Sequence, residues 1–492
     1  MMVLKILHNL LYQTLLGKRK SMNEKCQVFT PNNYVEELLD SVGYRKDLYG
    51  KRILENSCGD GNILTVVVQR YIDDCKNNDF SNVQIREGLE KDIYGVEIDE
   101  IQYKRCIKNL NEILKRNRIG SVRWNIINSD YLRWTETIQF QFVVGNPPYI
   151  TYQELEKEEQ DYVRANFNTC KKGKFDYCYA FIEKSIKCLD RNGRMAYLIP
   201  SSIYKTVFGE LLRNYMKPYI QEIRDYTQEK VFDNALVKSS ILILSKARKS
   251  DCLHYFDMTT HQEVDIPISS LAEKWFFSND TILGERRFGD YFQVSHVVAT
   301  LLNDAYVLDM EKCTEDGDVY QCDGYRIEKA VVRETATPRS KRYRKKEKII
   351  FPYMYENDKL VRYSEEQFFK QFPGAYGYLN QFRSKLDKRE SDKSSLWFEY
   401  GRSQALAGLN RRKILVSTVI TEKVPVYILG KEYIPYAGMY IVPKKDNKTY
   451  KLEDARAILK SDEFMQYVKR VGIHISGTSL RITSKDIENF KF

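Results

Sequence analysis

Phe142-Val143-Val144-Gly145-Asn146-Pro147-Pro148-Tyr149 joins a short apolar run to a proline pair. Four small or apolar residues closed by a turn signal predict a buried strand that ends at Gly145. The two prolines fix φ, remove two backbone donors and hold Asn146 extended, so the polar groups left at the strand end are mainly acceptors. Such acceptors suit an exocyclic amine on a planar group whose face Tyr149 can cover. The same tetrapeptide also reads as a rigid strand-to-loop turn. Outward from it, short apolar runs alternate with helical patterns between residues 51 and 248. Strands are predicted at 52–55, 93–97, 123–127, 140–145, 194–199, 220–226 and 239–245, and helices at 63–71, 101–114, 177–189 and 202–215. That alternation predicts an α/β domain, a mostly parallel sheet covered by helices on both faces. The polar, aperiodic stretch 245–250 marks a boundary near 250, beyond which mixed, aromatic-rich sequence predicts an α+β domain over 251–492.

At 492 residues the chain is long enough for two or three cores. Its ten cysteines include no CxxC pair, and its five histidines are scattered, so neither a disulfide framework nor a zinc site is expected. A reducing cytoplasm fits. Residues 1–21 form an N-terminal extension whose apolar stretch is interrupted by His8, Asn9 and Gln13, with no small-residue cleavage site, so it is not read as a signal peptide. Translation could start at Met1, Met2 or Met22. No segment approaches the roughly 18 apolar residues needed to span a bilayer, so no membrane partner is expected. Net charge is +11, distributed as +7 over residues 1–250, −10 over 251–330 and +14 over 331–492. The last segment holds Arg342, Arg344, Lys345 and Lys346 in one cluster and Arg411 and Arg412 in another, a pattern suited to a phosphate backbone as well as to a solvated loop.

After the first predicted strand comes Glu55-Asn56-Ser57-Cys58-Gly59-Asp60-Gly61-Asn62. Its glycines allow a tight turn and close approach of a ligand to backbone. A dinucleotide fold requires a third glycine where Leu64 stands, which argues against NAD and leaves a cofactor with an adenosine but no pyrophosphate, S-adenosylmethionine being the common one. Glu97, ending the second strand, can accept from both hydroxyls of a ribose. Asp130, after the third, can accept from an adenine amine. Each alone also reads as a cap or a solvated turn residue, but successive strand ends on one side of an open sheet are where ligands bind. The polar stretch 73–91 reads as a surface insertion.

With this order in place, residues 25–248 resemble the gamma-class adenine-N6 DNA methyltransferases of type II restriction-modification systems. Lys25-Cys26-Gln27-Val28-Phe29-Thr30-Pro31 is similar to that family's opening motif, which implies that Thr30 and Pro31 lie near the methionine part of S-adenosylmethionine. Glu55 to Gly61, with Ser57, Cys58 and Gly59, resembles its glycine motif, and Glu55 would approach the cofactor's amino group. The resemblance also implies ribose binding by Glu97, adenine binding by Asp130, and packing of Ile98 and Tyr131 on the ring. Asn146, Pro147, Pro148 and Tyr149 match the catalytic motif. Val231-Phe232-Asp233-Asn234-Ala235-Leu236-Val237 resembles the motif that packs on the flipped base, making Phe232 a second ring beside Tyr149. Asn56, where the family usually has proline, is a departure expected to loosen the cofactor turn slightly. Ile349-Ile350-Phe351-Pro352-Tyr353, Trp397-Phe398-Glu399-Tyr400-Gly401-Arg402 and Ser476-Gly477-Thr478-Ser479-Leu480-Arg481 resemble a Taq-type specificity domain.

The resemblance therefore implies a Rossmann-like S-adenosylmethionine-dependent methyltransferase domain over 22–250 and a target-recognition domain over 251–492. The expected activity is methyl transfer to the N6 amine of a flipped adenine in double-stranded DNA, without a metal. Basic residues 342, 344–346, 411 and 412 would contact the DNA backbone. Two other readings stay open: methylation of ribosomal RNA or of a protein glutamine, and a catalytically silent DNA-reading module. The expected setting is a monomer in the bacterial cytoplasm, associated with the nucleoid. Any cognate restriction endonuclease is expected to be a separate protein.

Overall fold

The computed structural model describes residues 30–135, 137–226, 238–247, 250–277, 284–476 and 478–492. The N-terminal extension, residues 25–29 of the opening motif and the whole 231–237 motif with Phe232 lie outside the described residues. The chain divides into two compact units, Met1–Asp280 and Thr281–Phe492.

In the first unit nine strands form one sheet: β1 (Ile53–Glu55), β2 (Ile93–Glu97), β3 (Asn125–Asn128), β4 (Phe140–Gly145), β5 (Leu189–Pro200), β6 (Ile220–Asp225), β7 (Ser239–Ser245), β8 (Cys252–Asp257) and β9 (Gln262–Pro267). Their order is β3-β2-β1-β4-β5-β7-β6-β8-β9. The first five are mutually parallel, whereas β7 runs antiparallel between β5 and β6. This is the expected Rossmann-like α/β architecture. The sheet continues past residue 250, where the sequence reading set the boundary: β8 pairs parallel with β6, and β9 returns antiparallel beside it. These two strands carry polar residues such as His254 and Asp265 at the sheet's edge, so they lack the apolar run that announces an inner strand.

Successive residues of the inner strands point to opposite faces. Ile53, Phe142 and Val144 pack with helices α1 (Asn32–Val42), α2 (Asn62–Asn77) and α4 (Glu100–Asn117). Leu54 and Val143 pack on the other face with α6 (Cys178–Cys188). The stretch 73–91, expected as a surface insertion, is instead the end of α2 and most of a further helix, α3 (Asn82–Asp92), started by a Ser81–Gln84 capping box. Its polar appearance misleads because Asp74 within it and Asp92 just after it are structural. Asp74 accepts from the backbone N–H groups of Asp47 and Leu48 at 3.0 and 2.7 Å, and Asp92 accepts from Tyr71 Oη at 2.6 Å.

The second unit is strand-rich with short helices, as the mixed pattern implies. A four-stranded antiparallel sheet places Phe292–His296, Met439–Pro443, Lys413–Val416 and Val426–Leu429 side by side, and smaller sheets and hairpins surround an aromatic core. The two motifs at 349–353 and 397–402 are bonded to each other: Tyr400 donates from Oη to Ile350 O at 2.8 Å and from its N–H to Tyr353 Oη at 2.8 Å. Cys313 and Cys322 form a disulfide, although the cysteine spacing gives no expectation of one. Hairpin register brings them together, since Thr314 pairs with Gln321 one step further in.

Candidate active site

The strand order reverses between β1 and β4, and the loops after β1, β2, β3 and β4 carry the predicted residues at the carboxyl ends of these strands. Open α/β sheets bind ligands at such a reversal. The loop after β1 turns through Gly59 and Gly61, both at positive φ, 51° and 87°. At Gly61 a side chain is doubly excluded, because a Cβ would also stand 2.7 Å from Cys106 Sγ on α4. Cys58 is buried under the same loop.

Glu97 and this loop hold each other. Gly59 N–H donates to Glu97 Oε2 and Asp99 N–H to Oε1, each at 2.8 Å. Burial raises the Glu97 carboxyl above its ordinary range, and the two backbone donors pull the other way. A carboxylate has about four lone-pair positions, so two hydrogen bonds leave Glu97 capacity for a diol. Asp130 is engaged in the same manner: Oδ1 accepts from Leu132 N–H at 2.9 Å and Oδ2 from Arg133. Arg133 in turn pairs with Glu159 at 2.8 Å and lies over the Tyr162 ring, an arrangement that no short-range sequence signal announces. Ile98 is half-buried, but Tyr131 is buried, with its ring against Phe181 and Trp134 in the core below the loop.

Glu55 ends β1 at 3% exposure, and its Oε2 has no hydrogen-bond partner among the described residues. Burial pushes this carboxyl well above its ordinary range, with Cys106 and Glu97 adding to the effect. An unpartnered carboxylate oxygen beside a glycine turn fits the ammonium end of an amino-acid moiety, and Glu97 fits a ribose. The donor set therefore suits S-adenosylmethionine. Thr30 and Pro31 are drawn to the same place, since Asn62 at the start of α2 donates from Nδ2 to Thr30 O, and Pro31 precedes α1.

The Asn146 to Tyr149 segment sits at the end of β4 beside this loop, tied to it by Ser57 Oγ donating to Asn146 O at 3.2 Å. Asn146 Oδ1 is shielded from solvent and Pro147 is buried. Tyr149 is half-buried, its Oη donating to Leu198 O at 2.7 Å, which fixes the ring's direction. Thr30, Glu55, Ser57, Gly59, Gly61, Glu97, Asp130 and the tetrapeptide are thus brought together by four adjacent strand ends.

In the second unit Arg342, Arg344, Lys345 and Lys346 are exposed at the end of the short helix Pro338–Tyr343 and just beyond it. Arg411 and Arg412 are exposed as well, Arg412 sharing an ion pair with Glu453 at 2.6 Å. Among the described residues no helix is long and apolar enough to cross a membrane, and no group of three or more metal-ligating side chains gathers.

Residues 48–232 match the Eco57I restriction-modification methylase family. The chain is 25% identical over 371 residues to the type II restriction enzyme and methyltransferase RM.Eco57I of Escherichia coli, covering 66% of this chain and 37% of that protein. To the type II methyltransferase M.HincII of Haemophilus influenzae it is 23% identical over 398 residues, covering 75% and 76%. A fold likeness extends to the type IIL restriction-modification enzyme MmeI solved with DNA, at a TM-score of 0.59, 13% identity, 93% coverage of this chain and 64% of MmeI. The chain spans 36% to 42% of the length of the first three curated relatives it matches.

Proposed function

We propose that residues 48–232, which match the Eco57I restriction-modification methylase family, form a methylase domain, and that the chain methylates the N6 amine of adenine in double-stranded DNA, with S-adenosylmethionine as donor, as the modification component of a restriction-modification system. The observation that carries this reading is the hydrogen bond joining the cofactor loop to the tetrapeptide through Ser57 and Asn146 O. It sets amine acceptors beside a pocket whose acids suit an ammonium and a ribose.

An adenine amine is weakly nucleophilic because its lone pair is delocalised into the ring. The Asn146 side-chain oxygen and the Pro147 carbonyl accept its two hydrogens and favour a more tetrahedral nitrogen. This is stabilisation by fixed dipoles, where one such group typically contributes on the order of 3 kcal/mol. Bound S-adenosylmethionine supplies the electrophilic methyl group. Glu55 holds the cofactor's ammonium, Glu97 its ribose and Asp130 its adenine, while Thr30, Pro31 and Ile98 shape the surrounding walls.

A base inside a duplex cannot reach this pocket, and rotating it out costs a few kcal/mol. Tyr149 and Phe232 offset part of that, at roughly 1 to 3 kcal/mol per stacked base. Phe232→Ala is therefore expected to lower the fluorescence gain of a 2-aminopurine placed at the target. A gain equal to that of the parent chain removes Phe232 from the base site.

The remaining energy comes from phosphate contacts of the exposed basic residues of the second unit. Neutralising Lys345 and Lys346 together is expected to reduce the steepness of log K against log salt by about 1.8, at about 0.9 per phosphate contact. An unchanged slope places both lysines off the DNA. The protein acts as a monomer at the bacterial nucleoid. Digesting duplex DNA to nucleosides after incubation with S-adenosylmethionine tritiated in its methyl group tests the whole reading: label is expected in N6-methyl-2′-deoxyadenosine, and label in a methyl-2′-deoxycytidine, or none, overturns it.

A further inference from the structure

Asn56, the residue expected to loosen the cofactor turn, is instead bolted to the core. It is 1% exposed, and its Nδ2 donates to Ser185 Oγ at 2.9 Å and also to Tyr197 Oη. Ser185, fully buried on α6, has two further partners: Tyr197 Oη at 2.5 Å and Tyr131 Oη at 2.9 Å. A serine hydroxyl offers one donor and two acceptor positions, so these three contacts saturate it.

The partners stand at three informative places. Asn56 follows Glu55 at the head of the glycine loop, and Tyr131 follows Asp130. Tyr197 lies on β5 directly across from Gly145, the residue before Asn146. A single buried hydroxyl thus reaches the backbone neighbours of two of the three cofactor-wall carboxylates, Glu55 and Asp130, and the strand beside the tetrapeptide. Lys184, adjacent on α6, clamps the loop after β3 a second time, donating from Nζ to the carbonyls of Tyr131, Leu132 and Trp134.

We infer that Ser185 is a positioning residue of the cofactor pocket, fixing the distance between the Glu55 wall and the Asp130 wall through Asn56 and Tyr131. This rests on the proposed function and deepens it. A buried hydroxyl whose donor and acceptor positions are all filled holds its partners in one geometry, and its loss leaves them to rearrange. Here rearrangement moves both ends of one ligand's binding site at once.

The test measures the dissociation constant for S-adenosylmethionine by calorimetry, together with KM, kcat and melting temperature, in the full chain. Ser185→Ala and Asn56→Ala are each expected to weaken cofactor binding by about tenfold or more, with the loss falling on cofactor KM more than on kcat. The double variant is expected to be no worse than either single one, since both break the same link. Ser185→Thr, which keeps the hydroxyl, is expected to recover most of the affinity. Should the alanine variants fail to fold, Tyr131→Phe and Tyr197→Phe each delete one hydroxyl with little volume change and are expected to show the same KM-weighted loss. A lowered melting temperature with the dissociation constant changed by less than about twofold, or additive single effects, makes the network merely structural and overturns the inference. A parent chain that binds no S-adenosylmethionine overturns both this inference and the proposed function.

Discussion

Asn146→Ala is expected to abolish methyl transfer while leaving the affinity for S-adenosylmethionine within about twofold of the parent. In the proposed mechanism the side-chain oxygen is one of the two acceptors for the target amine, the other being the Pro147 carbonyl. Losing a preorganised group of this kind typically costs about 10²- to 10³-fold in kcat. The bond from Ser57, which ties the cofactor loop to this segment, goes to the backbone oxygen of Asn146, which alanine retains. The effect should therefore appear in kcat alone. Single-turnover transfer of tritium to DNA, with cofactor binding measured in parallel, separates the two quantities. Transfer at the parental rate would remove Asn146 from the chemistry, and an equal loss of cofactor affinity would make it a structural residue.

Glu55→Gln is expected to weaken S-adenosylmethionine binding by roughly 10- to 150-fold, the equivalent of the 1.5 to 3 kcal/mol of a hydrogen bond to a charged group. In the absence of cofactor the same variant should be more stable than the parent, increasingly so as pH rises. The sign follows from the direction of the shift. Burial first, then Cys106 and Glu97, raise the Glu55 carboxyl in the folded chain well above the value of an unfolded glutamate. The folded state thus binds this proton more tightly than the unfolded state does. The corresponding stability is complete below the unfolded value and is lost as pH rises through the folded one. Glutamine keeps the shape and cannot ionise, so it escapes that loss. An ammonium ligand reverses the preference, because it interacts with the ionised carboxylate. Parental affinity should accordingly increase with pH through the range in which Glu55 titrates, and the variant's affinity should be flat there. Calorimetric titrations and melting curves over that range check both halves. A parental affinity independent of pH, or a variant less stable than the parent at every pH, counts against an ammonium at Glu55.

The legible parts of this molecule were those governed by local pattern. Strands at 93–97, 140–145 and 239–245 lie where their apolar runs predict them. Gly61 declares its left-handed turn by being glycine between Asp60 and Asn62. The last two strands of the sheet, β8 and β9, were not legible, because both carry polar residues and so resemble loop. The polar run 73–91 misled for a related reason: Asp74 within it and Asp92 just after it serve backbone donors and a tyrosine 21, 26 and 42 residues away in the chain.

In the candidate site the same division holds. Glu55, Glu97, Asp130 and Asn146 could be read because each ends or follows a strand, and strand ends of a parallel sheet gather on one side by topology alone. Tyr131 could not be placed, since the residue after a strand-end acid can point to the ligand or to the core, and packing against Phe181 and Trp134 decided for the core.

By itself the sequence determined the first seven strands of the sheet, the proline-fixed turn at residues 146–149 and the acids that stand at the strand ends. Periodicity, proline and glycine act over a few residues and need no partner. Only the tertiary structure decided that Ser185 joins Asn56 to Tyr131, that Arg133 engages Asp130, and that Cys313 meets Cys322. Each of these contacts depends on where separate segments cross, and a hydroxyl, a guanidinium or a thiol carries no mark in the chain of the group it will meet.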